Sequence, residues 1–134
     1  FALPSEKQDD VMAEAYFSCA GAQDNPEALL EVAGFYDTAK RNYPRALFYY
    51  QRAASFGDTS AISTLSSVFN PDSSPGFTLG YKANTELHEA YEKLYAQVRN
   101  NPDLRFPDLA KKHPFPPHPE QGLDAEHPDR RFAL

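Results

Sequence analysis

The side chains with the clearest chemical potential lie in the stretch HEAYE, residues 88–92. This stretch departs from the zinc-binding pattern HExxH at its last position, where Glu92 takes the place of the second histidine. A histidine and a carboxylate about one turn apart on an exposed helix face are solvated more often than they hold a metal ion. We therefore predict no metal site there, and an enzyme that uses His88 and the nearby carboxylates is the least favoured hypothesis.

No other group of residues has the spacing of a catalytic or cofactor site. His113 and His118 flank Pro-rich backbone without a nearby cysteine, and the serines form neither the G-x-S-x-G nor the S-x-x-K pattern of an activated nucleophile. No Gly-rich phosphate loop is present. Cys19, the single cysteine, has no His, Lys or Arg close in sequence to activate it, so we predict that it is a packing residue. We predict no catalytic, cofactor or metal residues and expect that the chain is not an enzyme.

Helices must position whatever surface carries the function. Asn25 before Pro26, Asn42 before Pro44, and Asp58 are typical helix starts, because each can cap free backbone N–H groups. We predict five main helices, at about residues 6–21, 26–39, 44–56, 58–69 and 84–99. Together they indicate an all-α fold in a single domain that spans residues 1–134, with the helices between residues 5 and 100.

Apolar residues recur on one face of each predicted helix, which indicates its core side. The first stripe is Met12, Ala13, Tyr16, Cys19 and Ala20; the second is Leu29, Val32, Ala33 and Tyr36; that of the fifth helix is Leu87, Ala90, Tyr91, Leu94 and Val98. Leu30 and Phe35 fall on other faces, so the second helix is either sandwiched or presents a binding face. Phe48, Tyr49 and Tyr50 are consecutive, so we expect the third helix to be contacted on two sides.

Two segments interrupt the helical pattern. Residues 70–82 contain two prolines and two glycines, and loops of this length are often functional or mobile. Residues 101–134 form a Pro-rich tail with too few apolar residues to fold alone. We expect the tail to form one short helical turn at about residues 107–112, to lie extended against the helices through Phe106, Leu109 and Phe115, and to be disordered near its end. Its PFPPHP stretch could instead dock an aromatic groove of a partner.

The sequence repeats itself with a period of 33 residues. The shift aligns small residues with small and aromatic with aromatic, including Ala13 with Ala46, Ala28 with Ala61, Val32 with Leu65, and Tyr36 with Phe69. A fixed period of this length is typical of stacked units of two helices. We therefore look for function on a surface.

Residues 28–69 resemble the Sel-like repeat, a relative of the tetratricopeptide repeat. The matching positions of the first helix are Ala28, Val32, Ala33 and Tyr36, and those of the second are Asn42, Arg45, Ala46, Tyr49, Tyr50, Arg52, Ala53, Ala54 and Gly57. Val, Ala, Asn and Tyr stand where Leu, Gly, Asp and Trp are usual. The resemblance implies a short α-solenoid of about two helical hairpins, with residues 70–82 as an inserted loop.

The tail carries a second resemblance. RFPDLAKKHPFPPHP, residues 105–119, is similar to the Pro-rich segment that follows such repeats in a group of bacterial proteins. Members of that group resemble immunity proteins encoded beside type VI secretion effectors, including those that neutralise phospholipase toxins. This resemblance implies a cognate toxin as the partner. A phospholipase target would imply a periplasmic location, with a signal segment before Phe1; the cytoplasm is the alternative.

Composition limits the possible partners. The 134 residues include 19 acidic and 13 basic side chains, a formal net charge of -6, whereas nucleic-acid binding needs a basic stripe. We therefore expect no nucleic-acid partner. No run of 18 apolar residues is present, so we predict no transmembrane segment in this chain.

Two functional hypotheses remain besides the enzyme. The first is an immunity protein that occludes a toxin's active site or blocks its activating contacts, and the second is a scaffold or adaptor that joins two partners. A rigid stacked scaffold can bind either kind of partner at little entropic cost. The candidate partner-binding residues are Glu31, Phe35, Asp37, Thr38, Thr64, Ser67, Asp72, Ser73, Ser74 and Phe77.

Overall fold

The chain folds into helices joined by short connections. The computed structural model describes residues 24–122, together with residues 12, 13, 15, 16 and 19. Its helices are α1 (Pro26–Thr38), α2 (Tyr43–Ser55), α3 (Thr59–Phe69), α4 (Pro75–Thr78), α5 (Thr85–Asn100) and α6 (Leu109–Lys112). The described part of the chain contains no strand beyond an isolated bridge between His118 and Gly122. The all-α prediction is therefore confirmed.

Side-chain caps define where the long helices begin. The amide oxygen of Asn25 accepts hydrogen bonds from two backbone N–H groups in the first turn of α1, and the Asp58 carboxylate accepts one at the start of α3. Asn42 and Asn84 cap α2 and α5 in the same way. Each cap satisfies a donor that the first helical turn leaves without an intrahelical partner. The starts predicted at Asn25, Asn42 and Asp58 are thus confirmed.

Two hairpins form the helical body. α1 packs on α2, α3 packs on α5, and α2 packs on α3 between the hairpins. Positions that are equivalent under the 33-residue shift are buried in both hairpins: Val32 with Leu65, and Tyr36 with Phe69. Ala46, Ala53 and Ala54 are fully buried, which allows the helix backbones to approach closely. The aromatic residues of α2 are contacted on two sides, since Tyr49 stacks on Tyr36 of α1 while Phe48 lines a cavity with Pro107.

The Pro-rich tail runs along α2 in the opposite direction. The backbone N–H of Phe106 donates to the Ser55 carbonyl at 2.7 Å, and one turn earlier in α2 the Gln51 amide donates to the His113 carbonyl at 3.1 Å. Leu109 is buried between these two points. Proline lacks an N–H group, so a Pro-rich segment has few backbone donors that need a hydrogen-bond partner. The predicted contacts through Phe106, Leu109 and Phe115 are present, because all three pack against the core.

Residues 118–122 of the tail form a tight turn rather than an extended segment. The backbones of His118 and Gly122 exchange two hydrogen bonds of 2.9 Å. The Gln121 side chain then bridges the α1–α2 turn, since its Nε2 donates to the Arg41 carbonyl at 2.8 Å and its Oε1 accepts from the Tyr43 N–H at 2.9 Å. Gln121 therefore caps the first residue of α2 from a distant part of the sequence. The predicted disorder near the end of the tail concerns residues 123–134, which lie outside the described residues.

Several sequence-based expectations are wrong. Met12, Tyr16 and Cys19 are exposed, although their helical spacing predicted a core face and a packing role for the thiol. Periodicity places side chains on one side of a helix but does not determine what covers that side. The predicted loop at residues 70–82 contains the single-turn helix α4. The remainder of the helix predicted at residues 6–21 lies outside the described residues.

Gly57 is a site where side-chain addition should be costly. Its φ of 84° lies in the left-handed region, and a Cβ there would stand 2.6 Å from the Leu104 carbonyl oxygen of the tail. We expect Gly57→Ala to lower the free energy of unfolding by at least about 1–3 kcal/mol, from backbone strain plus displacement of the tail. Urea denaturation measures the change. Gly76→Ala is the control, because its Cβ would meet nothing within 4 Å. Equal stability of the two variants would contradict this account.

Candidate functional site

A small cleft opens where α1, α3 and α4 meet. Its volume is about 230 Å³, and it is called the α4 cleft below. The residues that line it are Asp37, Ser63, Thr64, Ser67, Val68, Gly76, Phe77 and Leu79. One carboxylate, three hydroxyl groups and one aromatic ring thus share the same cavity, and no lysine, arginine or histidine is among the lining residues.

Four of the predicted partner-binding residues meet in this cleft: Asp37, Thr64, Ser67 and Phe77. They come from three helices, so no sequence motif joins them. Phe77 is 66% exposed, and among residues 24–122 it is the most exposed large hydrophobic residue. An exposed aromatic ring beside a polar cleft has the composition of a protein-binding surface. Ser63 and Leu79 also line the cleft, and sequence reasoning missed them.

The connection before α4 holds three further predicted residues, which lie outside the α4 cleft. Asp72 and Ser74 are exposed, whereas the Ser73 hydroxyl donates a hydrogen bond of 2.6 Å to the Ser67 carbonyl. Ser73 therefore ties the connection to the last turns of α3. This contact gives it a structural role, and it supports the wall on which Ser67 lies.

The other predicted residues of α1 lie along the same helix but do not line the cleft. Glu31 and Thr38 are exposed, and the Thr38 hydroxyl donates to the Gly34 carbonyl at 2.7 Å within α1. Phe35 is half-buried, and its ring meets that of Tyr36 edge to face at a centroid distance of 5.2 Å. Phe35 thus packs partly against the core, and its role in partner binding stays a prediction.

Asp37 is a half-buried carboxylate whose hydrogen bond comes from a neutral group. The Tyr50 hydroxyl of α2 donates to Asp37 Oδ2 at 3.2 Å. Burial raises the pKa of the Asp37 carboxyl above its ordinary value, and the hydrogen bond from Tyr50 offsets part of that rise. Burial and the nearby Asp37 charge also raise the pKa of Tyr50, so its hydroxyl keeps the proton that it donates. Among residues 24–122, Asp37 forms no salt bridge.

Leu79, at the end of α4, holds a strained backbone conformation next to the cleft. Its φ of 51° lies in the left-handed region, which costs a residue with a Cβ about 1–2 kcal/mol. Its carbonyl oxygen accepts a hydrogen bond from His118 Nε2 at 2.8 Å, and this contact fixes the strained residue. Strained residues that are held by their surroundings concentrate at functional sites. The tail therefore supports one wall of the α4 cleft.

His88 and Glu92 join α5 to α3 rather than forming a reactive site. The Ser66 hydroxyl donates to Glu92 Oε1 at 2.7 Å, and His88 Nδ1 lies 2.9 Å from the Ser66 hydroxyl oxygen and 3.0 Å from the Ser66 carbonyl oxygen. The single hydroxyl proton is used toward Glu92 and a carbonyl only accepts, so the tautomer with its proton on Nδ1 satisfies both contacts, and in that tautomer Nδ1 is not a base toward Ser66. The prediction that His88 is solvated is wrong, because the side chain is half-buried against α3.

A larger groove of about 640 Å³ separates α5 from residues 105–113. Three acidic residues and three basic residues line it: Glu86, Glu89, Asp108, Lys93, Arg105 and Lys112. Because the two signs balance, the groove selects neither charge in a partner. The lining of the α4 cleft, by contrast, carries one carboxylate and no basic side chain.

Residues 24–122 and the five described positions before them contain no cluster of three or more His, Cys, Asp or Glu side chains that could hold a metal ion. In that same part of the chain, no helix has the length and hydropathy needed to cross a membrane.

Comparisons with known proteins give significant matches among solved structures. Immunity protein Pa5087 from Pseudomonas aeruginosa is 44% identical over 87% of this chain, with a TM-score of 0.79. PA5086 of the same organism is 41% identical over 85% of the chain, with a TM-score of 0.79. Immunity protein PA5088 is 41% identical over 93% of the chain, with a TM-score of 0.82.

The matches cover only part of each matched structure. The chain spans 44%, 43% and 48% of those three structures, so it corresponds to about half of each. No family model matches the sequence, and no curated protein matches it significantly. The Sel-like repeat therefore stays a resemblance. Two of the three matched structures are immunity proteins rather than enzymes, which agrees with the expectation that this chain is not an enzyme. Over most of its length, the chain is similar in sequence and fold to about half of each of these Pseudomonas aeruginosa proteins, two of which are immunity proteins.

Proposed function

We propose that this chain is an immunity protein, or a large part of one, that binds a bacterial toxin and neutralises it. The observation that carries the proposal is the 41–44% identity to the solved Pseudomonas aeruginosa structures over at least 85% of the chain. The surface chemistry supports it, because an exposed Phe77 at a polar cleft is suited to a protein partner.

The α4 cleft is the proposed contact with the toxin. Its volume of about 230 Å³ lies below the roughly 300–1,000 Å³ of typical small-molecule pockets, so a side chain of a partner is a better occupant than a free ligand. Helices α1 and α3 supply most of its lining, and helical elements hold a binding surface with little loss of entropy on association.

The nature of the toxin is part of the proposal. The Pro-rich segment at residues 105–119 resembles those of immunity proteins encoded beside type VI secretion effectors, so we take such an effector as the partner. A phospholipase is the first activity to assay. Because a phospholipase of this kind would attack membranes from the periplasm, the protein would act there, and cell fractionation of the expressed full-length gene product tests this location.

The direct test is coexpression with the product of the neighbouring gene. We expect the two proteins to comigrate in size-exclusion chromatography, and we expect this chain to restore growth to cells that express the toxin. Formation of a complex without rescue would favour the scaffold or adaptor hypothesis. If the proteins neither associate nor give rescue, the immunity proposal is wrong.

A further inference from the structure

We propose that the α4 cleft receives a cationic side chain of the toxin, an arginine or a lysine, with Asp37 as its counter-ion and Phe77 as its aromatic contact. This inference rests on the proposed immunity function and adds the chemistry of the contact. It identifies the occupant by charge, because the cleft supplies a carboxylate without a cation.

The first argument concerns the charge of the cleft. Asp37 is half-buried, and burial is the largest influence on the pKa of its carboxyl. It nevertheless forms no salt bridge within residues 24–122, and its hydrogen bond comes from Tyr50. A partly buried carboxylate is costly unless it is paired, and Tyr50 supplies a neutral hydrogen bond only. A cation from a partner would supply the missing charge and form a charge-assisted hydrogen bond.

The second argument concerns the remaining lining. Ser63, Thr64 and Ser67 bring hydroxyl oxygens that can accept hydrogen bonds from an ammonium or guanidinium group. The Thr64 hydroxyl already donates to the Ser60 carbonyl at 2.9 Å, so acceptor capacity is what it retains. No basic side chain among the lining residues competes for these acceptors. The polar part of the cleft therefore favours a donor-rich cation.

The third argument concerns the exposed aromatic ring. Phe77 lines the same cleft and keeps 66% of its side chain exposed. A cation over an aromatic face is attracted by the ring quadrupole, and arginine uses this contact most often. A carboxylate and an exposed ring in one small cleft are thus complementary to the head group and stem of one long basic side chain.

The test uses the full chain and the purified product of the neighbouring gene in isothermal titration calorimetry. We expect Asp37→Asn to weaken binding about 10–100-fold, because it removes the charge while keeping the shape and an acceptor for Tyr50. We expect Phe77→Ala to weaken binding by a similar factor. The wild-type affinity should also fall with added salt, and Asp37→Asn should reduce that dependence.

Controls separate the cleft from general effects. Asp103→Asn removes one exposed carboxylate elsewhere and should bind like wild type. Circular dichroism should show that Asp37→Asn is at least as stable as wild type near neutral pH, because it removes a desolvated charge. Tight binding by wild type and Asp37→Asn alike would overturn the inference while leaving the immunity proposal intact. Absence of wild-type binding would overturn the immunity proposal, and the cationic contact with it.

Acidification provides an independent check of the same group. Since burial raises the pKa of Asp37, its carboxylate takes up a proton at a higher pH than an ordinary aspartate does. Protonation removes the charge that attracts the cation, so wild-type affinity should fall as pH drops through this raised pKa. The Asp37→Asn variant should lack this step. A step of the same size in both proteins would assign it to another group and contradict the inference.

Discussion

Replacing Phe69 with alanine is expected to lower the free energy of unfolding by about 3–5 kcal/mol, the largest stability loss that we anticipate for a single core substitution. Phe69 is fully buried at the end of α3. Its ring meets Tyr81 edge to face and stacks on Phe115 of the tail, each at a centroid distance of 5.6 Å. Truncation would therefore leave a cavity between the helices and the tail. Urea denaturation followed by circular dichroism measures the loss.

Phe77→Ala is the matched control, since it makes the same chemical change at an exposed ring. We expect it to change stability by no more than about 0.5 kcal/mol. The total stability of a domain of this size is only about 5–15 kcal/mol, so Phe69→Ala could leave much of the chain unfolded. If Phe69→Ala cost less than about 1 kcal/mol, Phe69 would not hold the tail on α3 as described.

The helical part of this fold was predictable because its signals are local. Asn25 and Asp58 cap helices within three residues of themselves, and Gly57, just after α2, takes a left-handed conformation that glycine adopts readily. The 33-residue period aligned Tyr36 with Phe69, and both side chains are buried. Such features depend on neighbours in sequence or on a repeated pattern, and both can be read without a structure.

The contacts that build the site are not local. Asp37 was a candidate from its place on a helix, but its hydrogen bond to Tyr50 and its partial burial follow from the packing of α1 on α2. Tyr16 shows the same limit of local signals: its helical stripe predicted burial, but the side chain is exposed. His118 was noted as one histidine in a Pro-rich stretch, and its partners Leu79 and Tyr81 lie far away in the sequence.

His118 has all of its hydrogen-bonding capacity in use. Nδ1 accepts from the backbone N–H groups of Glu120 and Gln121, both at 3.1 Å, and Nε2 donates to the Leu79 carbonyl at 2.8 Å. A carbonyl accepts and an N–H donates, so the ring is the neutral form with its proton on Nε2. It also packs against the ring of Tyr81 at a centroid distance of 4.7 Å. With 4% of its surface exposed, this histidine joins the tail to the wall of the α4 cleft.

Gly80, the residue after Leu79, lies close to the His118 ring. Gly80 has a φ of 81°, and a Cβ there would lie 2.8 Å from His118 Nε2. The strained Leu79, the close approach at Gly80 and the buried ring therefore form one contact between the chain after α4 and the tail. Because Leu79 lines the α4 cleft and α4 carries Phe77, the tail contributes to the position of the surface that we assign to the toxin.

His118→Ala is expected to lower the free energy of unfolding by about 2–4 kcal/mol, from three lost hydrogen bonds and the lost ring contacts. The effect should be largest at the tail. Once the turn at residues 118–122 opens, Gln121 no longer caps the Tyr43 N–H. Hydrogen exchange should therefore speed up at the Tyr43 amide, at the start of α2, as well as within the turn itself.

The same substitution at His113 separates this role from a general loss of a tail histidine. His113 is half-buried, and its ring lies 6.3 Å from that of Tyr91, so His113→Ala should cost less and leave the Tyr43 amide protected. His118→Ala should also weaken toxin binding, because Leu79 would be free to leave its strained conformation and shift the end of α4 that bears Phe77. Unchanged exchange at Tyr43 would show that the tail turn persists without the histidine, and it would contradict the role assigned to His118.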